Sequence, residues 1–340
     1  MNIPSRPWTN PRTPKRILVI RLQATGDVVI TLPYLQHLRN TLPADVRLDF
    51  LTRVETRDIP RSLELFDRVF SIGGARSRRK QLFYAILLLP KLALRRYQVV
   101  IDLQNNGISR IVRKMLRPEA WSAFDRFSPE AAGERNRLTI EAIGLGGSRA
   151  DGRFQLKAPA GAIDLLKNHG WNGKDPLLIL NPAGAFKTRN WDPSNYVQFA
   201  RLWLGRFPDT RFLILGTAFI AEKAAFIRKA LHPSLIDLTR LTTPAEAFAL
   251  IQKATLLLSE DSGLMHMAWV SGIPTIVLFG STRSDWSRPL GPHTFFLDSS
   301  DLPCGNCMQS VCRFGDTHCL TRITPDQVFR HSLTLLNRPV

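Results

Sequence analysis

Short apolar runs alternate with stretches whose apolar residues recur at helical spacing along most of this chain. In the first half, residues 16–22 and 97–103 predict buried strands, and residues 28–42 predict a helix that ends before Pro43. The alternation resumes in the second half, where strands are predicted over residues 177–181, 212–215, 256–259 and 275–279. Strands that alternate with helices of this length are typical of parallel sheets covered on both faces, so we expect an α/β fold.

The two halves of this pattern predict two domains. A chain of 340 residues is long for a single hydrophobic core, and the segment 144–175 is glycine-rich and less regular. We expect an N-terminal domain over residues 15–165 and a C-terminal domain over residues 176–340, with parallel sheets that face an interdomain cleft. Residues 1–14 are polar and basic, so they predict a flexible tail.

The chain shows no secretory signal and no membrane span. Its longest apolar run, residues 82–94, contains Pro90 and Lys91 and is too short to cross a bilayer. We therefore expect a cytoplasmic protein that could touch a membrane surface.

Positive charge is concentrated in the first half of the chain. The formal net charge is +18, and residues 1–170 hold 29 Lys and Arg against 15 Asp and Glu, whereas residues 171–340 hold 17 against 13. This asymmetry favours an anionic partner for the first domain: nucleic acid, an acidic membrane surface or a phosphorylated substrate. High charge also aids solubility, but solubility alone does not explain the asymmetry.

The clearest candidate site follows the predicted strand 256–259. A small polar cluster leads from that strand into a helical pattern and places Ser262 and Gly263 at a helix N-terminus. Backbone N–H groups and the positive end of the helix dipole favour a phosphate there. The loop after the strand 177–181 carries Lys187 and Arg189, which either contact the same phosphate or form a solvated basic loop.

A second candidate site follows the first predicted strand. The turn at Thr25 and Gly26 leads into a helix and again offers backbone donors, and Asp27 lies in the first helical turn. Asp27 either caps the helix or takes a proton from a hydroxyl nucleophile. The chain has neither the glycine pattern of a dinucleotide site nor a P-loop lysine.

Two further clusters stand out. The basic run Arg76, Arg78, Arg79 and Lys80 is either solvated or an anion site. For the adjoining Leu82, Phe83, Ile86 and Leu87, core packing is the preferred interpretation over contact with lipid.

The segment 304–319 spaces its cysteines as C-x2-C-x4-C-x6-C, which predicts structural zinc more than disulfides. His318 is a spare ligand, and reduced packed thiols are the alternative. The cysteines are Cys304, Cys307, Cys312 and Cys319.

Five motifs in this order resemble the heptosyltransferases, glycosyltransferase family 9. They are R-L-Q-A-T-G-D-V-V, P-A-G-A with K-T-R-N-W, E-D-S-G-L-M-H-M-A, G-I-P-T-I-V-L-F-G-S-T and the cysteine window. The resemblance implies a GT-B fold of two Rossmann-like domains. It also implies an inverting, metal-independent enzyme that needs no cofactor and transfers heptose from ADP-L-glycero-D-manno-heptose to the inner core of lipopolysaccharide.

The resemblance also implies roles for individual residues. Asp27 matches the proposed general base, and Arg189 stands where many members have Lys. The basic run from Arg76 to Lys80 lies on the acceptor side. The remaining donor-side residues are Thr25, Gly26, Lys187, Glu222, Asp261, Ser262, Gly263 and His266, the last of which could instead be a core histidine.

The implied partners are the nucleotide sugar, an anionic lipid-linked acceptor and the inner face of the cytoplasmic membrane, without nucleic acid. Two alternatives stay open. One is a relative that transfers another nucleotide-activated sugar to a cell-envelope glycan, and the other is a non-catalytic protein that binds a glycan or nucleic acid.

Overall fold

The computed structural model describes residues 3–147, 154 and 159–337. The chain divides into two compact units, Met1–Phe154 and Gln155–Val340. Each unit contains one six-stranded sheet with helices on it.

The sheet of the first unit has the strand order β1 (Ser5–Arg6), β6 (Ala120–Ala123), β5 (Val99–Asp102), β2 (Arg16–Ile20), β3 (Arg47–Arg53) and β4 (Arg68–Ile72). All neighbouring strands are parallel except β1 and β6. The central strand is an unbroken apolar run whose side chains from Ile17 to Ile20 are fully buried, as expected for a parallel strand covered on both faces. The elements are β1 (Ser5–Arg6), β2 (Arg16–Ile20), α1 (Thr25–Thr41), β3 (Arg47–Arg53), α2 (Asp58–Arg61), β4 (Arg68–Ile72), α3 (Arg78–Ala93), β5 (Val99–Asp102), α4 (Gly107–Leu116), β6 (Ala120–Ala123) and α5 (Ala132–Glu141).

The sheet of the second unit has the strand order β12 (Thr294–Leu297), β11 (Thr275–Leu278), β10 (Leu256–Glu260), β7 (Leu177–Asn181), β8 (Arg211–Ile214) and β9 (Leu235–Asp237). It is parallel throughout. This is the order of a doubly wound nucleotide-binding sheet. The elements are α6 (Ala162–Asn168), β7 (Leu177–Asn181), α7 (Pro193–Arg206), β8 (Arg211–Ile214), α8 (Ala221–Leu231), β9 (Leu235–Asp237), α9 (Pro244–Ile251), β10 (Leu256–Glu260), α10 (Gly263–Val270), β11 (Thr275–Leu278), α11 (Ser284–Ser287), β12 (Thr294–Leu297), α12 (His318–Thr321) and α13 (Pro325–Leu336).

Strand order reverses once in each sheet. In the first unit the chain runs outward from β2 to β4 and then returns to add β5 on the other side of β2; in the second unit β10 returns beside β7 in the same way. Helices diverge to opposite faces at such a reversal and leave a crevice at the carboxyl ends of the strands. The α/β prediction is confirmed, and each sheet offers one such crevice.

Part of the segment predicted as a flexible tail belongs instead to the first sheet. Ser5 and Arg6 form the edge strand β1, which pairs antiparallel with β6. The carbonyl of Pro4 accepts from the amide of Ala123, and the amide of Trp8 donates to Ile143. Backbone pairing therefore orders residues whose polar, basic composition pointed to disorder.

The predicted boundary between the two domains also differs from the structure. The predicted loose segment 144–175 includes α6, which packs against α9 in the second unit, although residues up to 165 were assigned to the first domain. Residues 148–153 and 155–158 of that segment lie outside the described residues.

Over the part of the chain that the structure describes, no helix combines the length and apolar character required to cross a membrane.

The edge strand β1 makes a testable difference to exchange at β6. We expect deletion of residues 1–6 to increase hydrogen–deuterium exchange at the Ala123 amide about fivefold, because loss of a hydrogen bond worth about 1 kcal/mol opens that amide to solvent. The Phe124 amide, which donates to Asp102 at 2.9 Å, is the internal control. Equal exchange at Ala123 in the full and truncated chains would restore the flexible-tail interpretation.

Candidate functional site

The reversal point of the second sheet is held together by Asn181. Its side-chain amide donates to Ser259 Oγ at 2.8 Å and to Ser262 Oγ at 2.5 Å, which joins the ends of β7 and β10. Ser262 is the N-cap residue of α10, yet its hydroxyl does not cap the helix. Because no cap from Ser262 occupies them, the first backbone N–H groups of α10 are suited to an anion, as predicted for Gly263.

Arg189 lies beside this helix start. Its Nη1 is 3.6 Å from Asp261 Oδ2, and the two side chains are only 15% and 12% exposed. The guanidinium also lies 4.8 Å from the ring centroid of Phe186. Arg189 is therefore fixed in place, whereas Lys187, at the other end of the same 3-10 turn, is exposed.

A buried carboxylate shapes the loop that carries both cations. Glu260 ends β10, and its two oxygens accept from the Gly184 amide at 2.5 Å and from the Trp191 amide at 2.7 Å. A Cβ added at Gly184 would lie 2.3 Å from the Arg189 carbonyl oxygen and 2.8 Å from Glu260 Oε2. The fold of this loop thus requires a residue without a side chain at position 184.

Burial raises the pKa of Glu260 to about 7, against the opposing effects of Lys223, the two backbone donors and Tyr196. Lys223 itself contacts the loop, since its Nζ donates to the Pro182 carbonyl at 3.0 Å and to Asn190 Oδ1. Burial lowers the pKa of Lys223, and the negative charge of Glu260 acts in the opposite direction.

Sequence reasoning missed both Glu260 and Lys223. It selected Glu222, which is exposed in the first turn of α8, whereas the contacts described above come from the next residue. The position of Glu260 at the carboxyl end of a strand, directly before Asp261, was the available signal. His266 is buried in α10, with its ring centroid 6.2 Å from that of Trp269.

The reversal point of the first sheet is bridged by Gln104, which follows β5. Its side-chain carbonyl accepts from the amides of Leu22 at 3.0 Å and Gln23 at 3.1 Å, both of which follow β2. This bridge fixes the loop that leads through Thr25 and Gly26 into α1.

Asp27 is held by two contacts in that first turn. Its Oδ2 accepts from the Ala24 amide at 2.7 Å, and its Oδ1 lies 2.8 Å from Arg21 Nη2. The Arg21 guanidinium is buried, donates to the Leu103 carbonyl and lies 5.0 Å from the Phe124 ring centroid. Asp27 is 40% exposed, so its carboxylate combines a fixed orientation with access to solvent. The capping role weighed for Asp27 is present, and each oxygen retains a second lone pair for another donor.

A basic cavity of about 560 Å³ adjoins the same loop. It brings together Arg76, Arg78 and Arg79 at the start of α3, whereas Lys80 lies outside its lining. Asn106 and Gly107, at the start of α4, also line it. Its other polar lining residues are Gln23, Arg53, Gln81, Gln104 and Arg126.

Arg53 and Arg126 were not predicted for this cavity. Arg53 ends β3, and its guanidinium donates to Gln23 Oε1 at 3.0 Å and to the Ala75 carbonyl at 2.6 Å. Arg126 follows β6. Both come from the carboxyl ends of parallel strands, which is the signal that could have found them.

The cysteine prediction is corrected by the structure. All four cysteines are free thiols and line one cavity of about 700 Å³, with Asp316 and His318. No three His, Cys, Asp or Glu side chains among residues 3–147, 154 and 159–337 form a group that could hold a metal ion. Zinc needs sulfurs that converge to bonds of about 2.3 Å, and these thiols do not form such a group. The alternative of reduced thiols describes the segment better; burial raises the pKa of Cys319.

The pH dependence of stability tests the buried state of Glu260. A carboxyl group whose pKa rises from 4.5 to about 7 on folding binds its proton more tightly in the folded state. Its contribution to the free energy of unfolding therefore falls by about 3 kcal/mol as pH rises from 4.5 through 7.

We expect Glu260→Gln to abolish that fall. Urea unfolding of both proteins at pH 5, 6, 7 and 8 should show the stability of the variant relative to the wild type rising by about 3 kcal/mol across this range. Parallel pH profiles for the two proteins would contradict the burial of an ionisable Glu260.

The chain resembles known proteins along most of its length. A model of glycosyltransferase family 9 (heptosyltransferase) matches residues 132–318, more than half of the chain. Lipopolysaccharide heptosyltransferase 1 of Pseudomonas aeruginosa is 24% identical over 356 residues, which cover 95% of this chain and 99% of that protein.

Two solved structures show the same fold. A glycosyl transferase family 9 protein from Veillonella parvula has a TM-score of 0.81 at 19% identity and covers 95% of this chain and 97% of its own. The heptosyltransferase WaaC of Escherichia coli, solved with ADP, has a TM-score of 0.68 at 16% identity and covers 94% and 99%. The fold is GT-B, with two Rossmann-like sheets. The chain is a glycosyltransferase that belongs to family 9, the heptosyltransferase family.

Proposed function

We propose that this protein is an inverting glycosyltransferase that moves heptose from ADP-L-glycero-D-manno-heptose to the inner core of lipopolysaccharide. The observation that carries the proposal is the pair of anion-suited sites at the two strand reversals. One is the uncapped start of α10 beside Arg189, and the other is the arginine cavity at the loop that leads to Asp27. The name of the Pseudomonas relative and the ADP in the WaaC structure supply the chemistry of donor and acceptor.

On the donor side, the diphosphate is held by backbone and side-chain donors. The N–H groups at Ser262 and Gly263 and the guanidinium of Arg189 face its charge, with Lys187 and the turn at Thr25 and Gly26 adding further donors. Preformed donors of this kind stabilise the charge that develops on the departing ADP without reorganising. His266, Asp261 and Glu222 complete the donor side.

On the acceptor side, the arginine cavity neutralises phosphates and acidic sugars of the lipid-linked core. Asp27 accepts the proton of the acceptor hydroxyl as that oxygen attacks the anomeric carbon. The bond from this carbon to the diphosphate breaks, ADP leaves with the electron pair, and the single displacement inverts the configuration. No metal is assigned a part in this step, and the reaction is placed at the inner face of the cytoplasmic membrane, where the acceptor lies.

The direct experiment is a transfer assay with purified ADP-heptose and truncated lipopolysaccharide acceptors of defined length, run with and without EDTA. We expect turnover on one acceptor length and no effect of the chelator. Turnover only with a different nucleotide sugar would favour the alternative, a family relative that transfers another sugar.

Substitution of Asp27 tests the proposed base. We expect Asp27→Asn to slow turnover by about 10²-fold or more, because the amide cannot take the proton. ADP affinity, measured by calorimetry, should be retained.

Asp45→Asn is the matched control for this test. Asp45 also pairs with a cation, Lys15 Nζ at 2.6 Å, but it precedes β3 and so lies at the amino ends of the strands. Near-normal turnover of Asp27→Asn, or an equal loss in Asp45→Asn, would remove Asp27 from the mechanism.

A comparison of Arg79 with its neighbour Lys80 tests whether the arginine cavity binds the acceptor. We expect Arg79→Ala to raise the acceptor KM by about tenfold or more, because it deletes a charged donor from the cavity lining. Lys80→Ala removes the same charge one residue away, outside the lining, and should change KM by less than about threefold. Equal effects would assign the result to net charge rather than to the cavity.

A further inference from the structure

The outer face of α3 is apolar and exposed, contrary to the preferred interpretation of core packing. Phe83, Ile86 and Leu87 are 58%, 53% and 60% exposed, and Leu94, which caps the helix, is 84% exposed. The buried residues Gln81, Ala85 and Leu92 lie on the opposite side, as a helix that turns by about 100° per residue requires.

The neighbouring helix α4 extends this surface. It packs against α3, and its Ile111 and Met115, one turn apart, are also exposed. We call these six exposed side chains the apolar face: Phe83, Ile86, Leu87, Leu94, Ile111 and Met115.

Positive charge surrounds the apolar face. Residues 68–118 contain twelve Lys and Arg and a single acidic residue, Asp102, which is buried. Exposed cations stand at both ends of α3 and along α4 at Arg78, Lys91, Arg110 and Lys114. Protein–protein interfaces are depleted of Lys, whereas apolar side chains among Lys and Arg are typical of helices that lie in an anionic lipid interface.

We propose that the apolar face docks this protein on an anionic phospholipid bilayer, with α3 and α4 lying against the membrane plane. Phe83, Leu87 and Leu94 enter the boundary between headgroups and acyl chains, and the surrounding cations contact lipid phosphates. The face adjoins the arginine cavity, whose lining includes Leu82 and Ile111. Docking by this face therefore presents that cavity to a molecule anchored in the same bilayer.

The experiment is cosedimentation with vesicles of phosphatidylglycerol and phosphatidylethanolamine, and with neutral phosphatidylcholine vesicles. We expect the wild-type protein to bind the anionic vesicles, with binding that weakens as salt rises, and to leave the neutral ones in solution. The double variant F83S/L87S should bind anionic vesicles about tenfold or more weakly, because two inserted apolar side chains are lost.

F226S/L241S is the matched control. It makes the same changes at Phe226 and Leu241 of the second unit, which are 53% and 50% exposed, and should bind vesicles like the wild type. Leu94→Ser repeats the test at the end of α3, so that a folding defect in the double variant does not decide the outcome. Thermal unfolding of each variant checks its fold.

Three results would overturn the proposal. The first two are absence of binding to anionic vesicles and equal binding by F83S/L87S and F226S/L241S. The third is a dimer in sedimentation velocity that the F83S/L87S substitutions dissociate, because it would assign the apolar face to a second copy of the chain. The proposal rests on α3 and α4 and not on heptosyl transfer. Vesicle binding is measured without donor or acceptor, so its failure is distinguishable from failure of the proposed function.

Discussion

Each unit depends on the reversal of strand order in its parallel sheet. A strand that returns beside the first one sends its helix to the opposite face, so two loops at the carboxyl edge separate and leave a crevice. Side-chain amides span both gaps: Gln104 accepts from the loop after β2, and Asn181 donates across the ends of β7 and β10. The candidate functional residues lie on the loops that these amides hold, so the topology of the sheet sets the positions of those residues.

The two crevices solve the problem of binding an anion differently. In the first unit, arginines converge on a cavity; Arg53 is paired with Glu55, whereas Arg76, Arg78 and Arg79 lie in residues 68–101, which contain no Asp or Glu. In the second unit, the two oxygens of Glu260 accept from backbone amides, and the charge of Arg189 is paired with Asp261. The N–H groups at the start of α10 must therefore supply much of the attraction for an anion. The burial of Glu260 raises its pKa to about 7, and the loop therefore depends on a carboxyl group that changes protonation near neutral pH.

Apolar runs were sufficient to predict the central strands, because buried parallel strands such as β2, β7 and β10 consist largely of apolar residues. The small polar cluster after β10 was sufficient to predict the start of α10. The apolar pattern missed short or half-buried strands such as β9 and β12, and it failed at β1, where pairing with β6 rather than side-chain pattern imposes the conformation. Glu260 and Lys223 were missed because their contacts join segments far apart in the chain, and sequence spacing does not encode such distances. For the same reason Lys80 was grouped with arginines whose cavity it does not line.

The edge strand β1 has a consequence for the solubility of the chain. Without it, the four-residue strand β6 would be the margin of the first sheet and would leave its outward amides and carbonyls open to another chain. β1 replaces that margin with two exposed residues, one of them a charged arginine. An edge strand this short and charged offers few backbone N–H and C=O groups to a second molecule, so it protects the six-stranded sheet from aggregation by strand pairing.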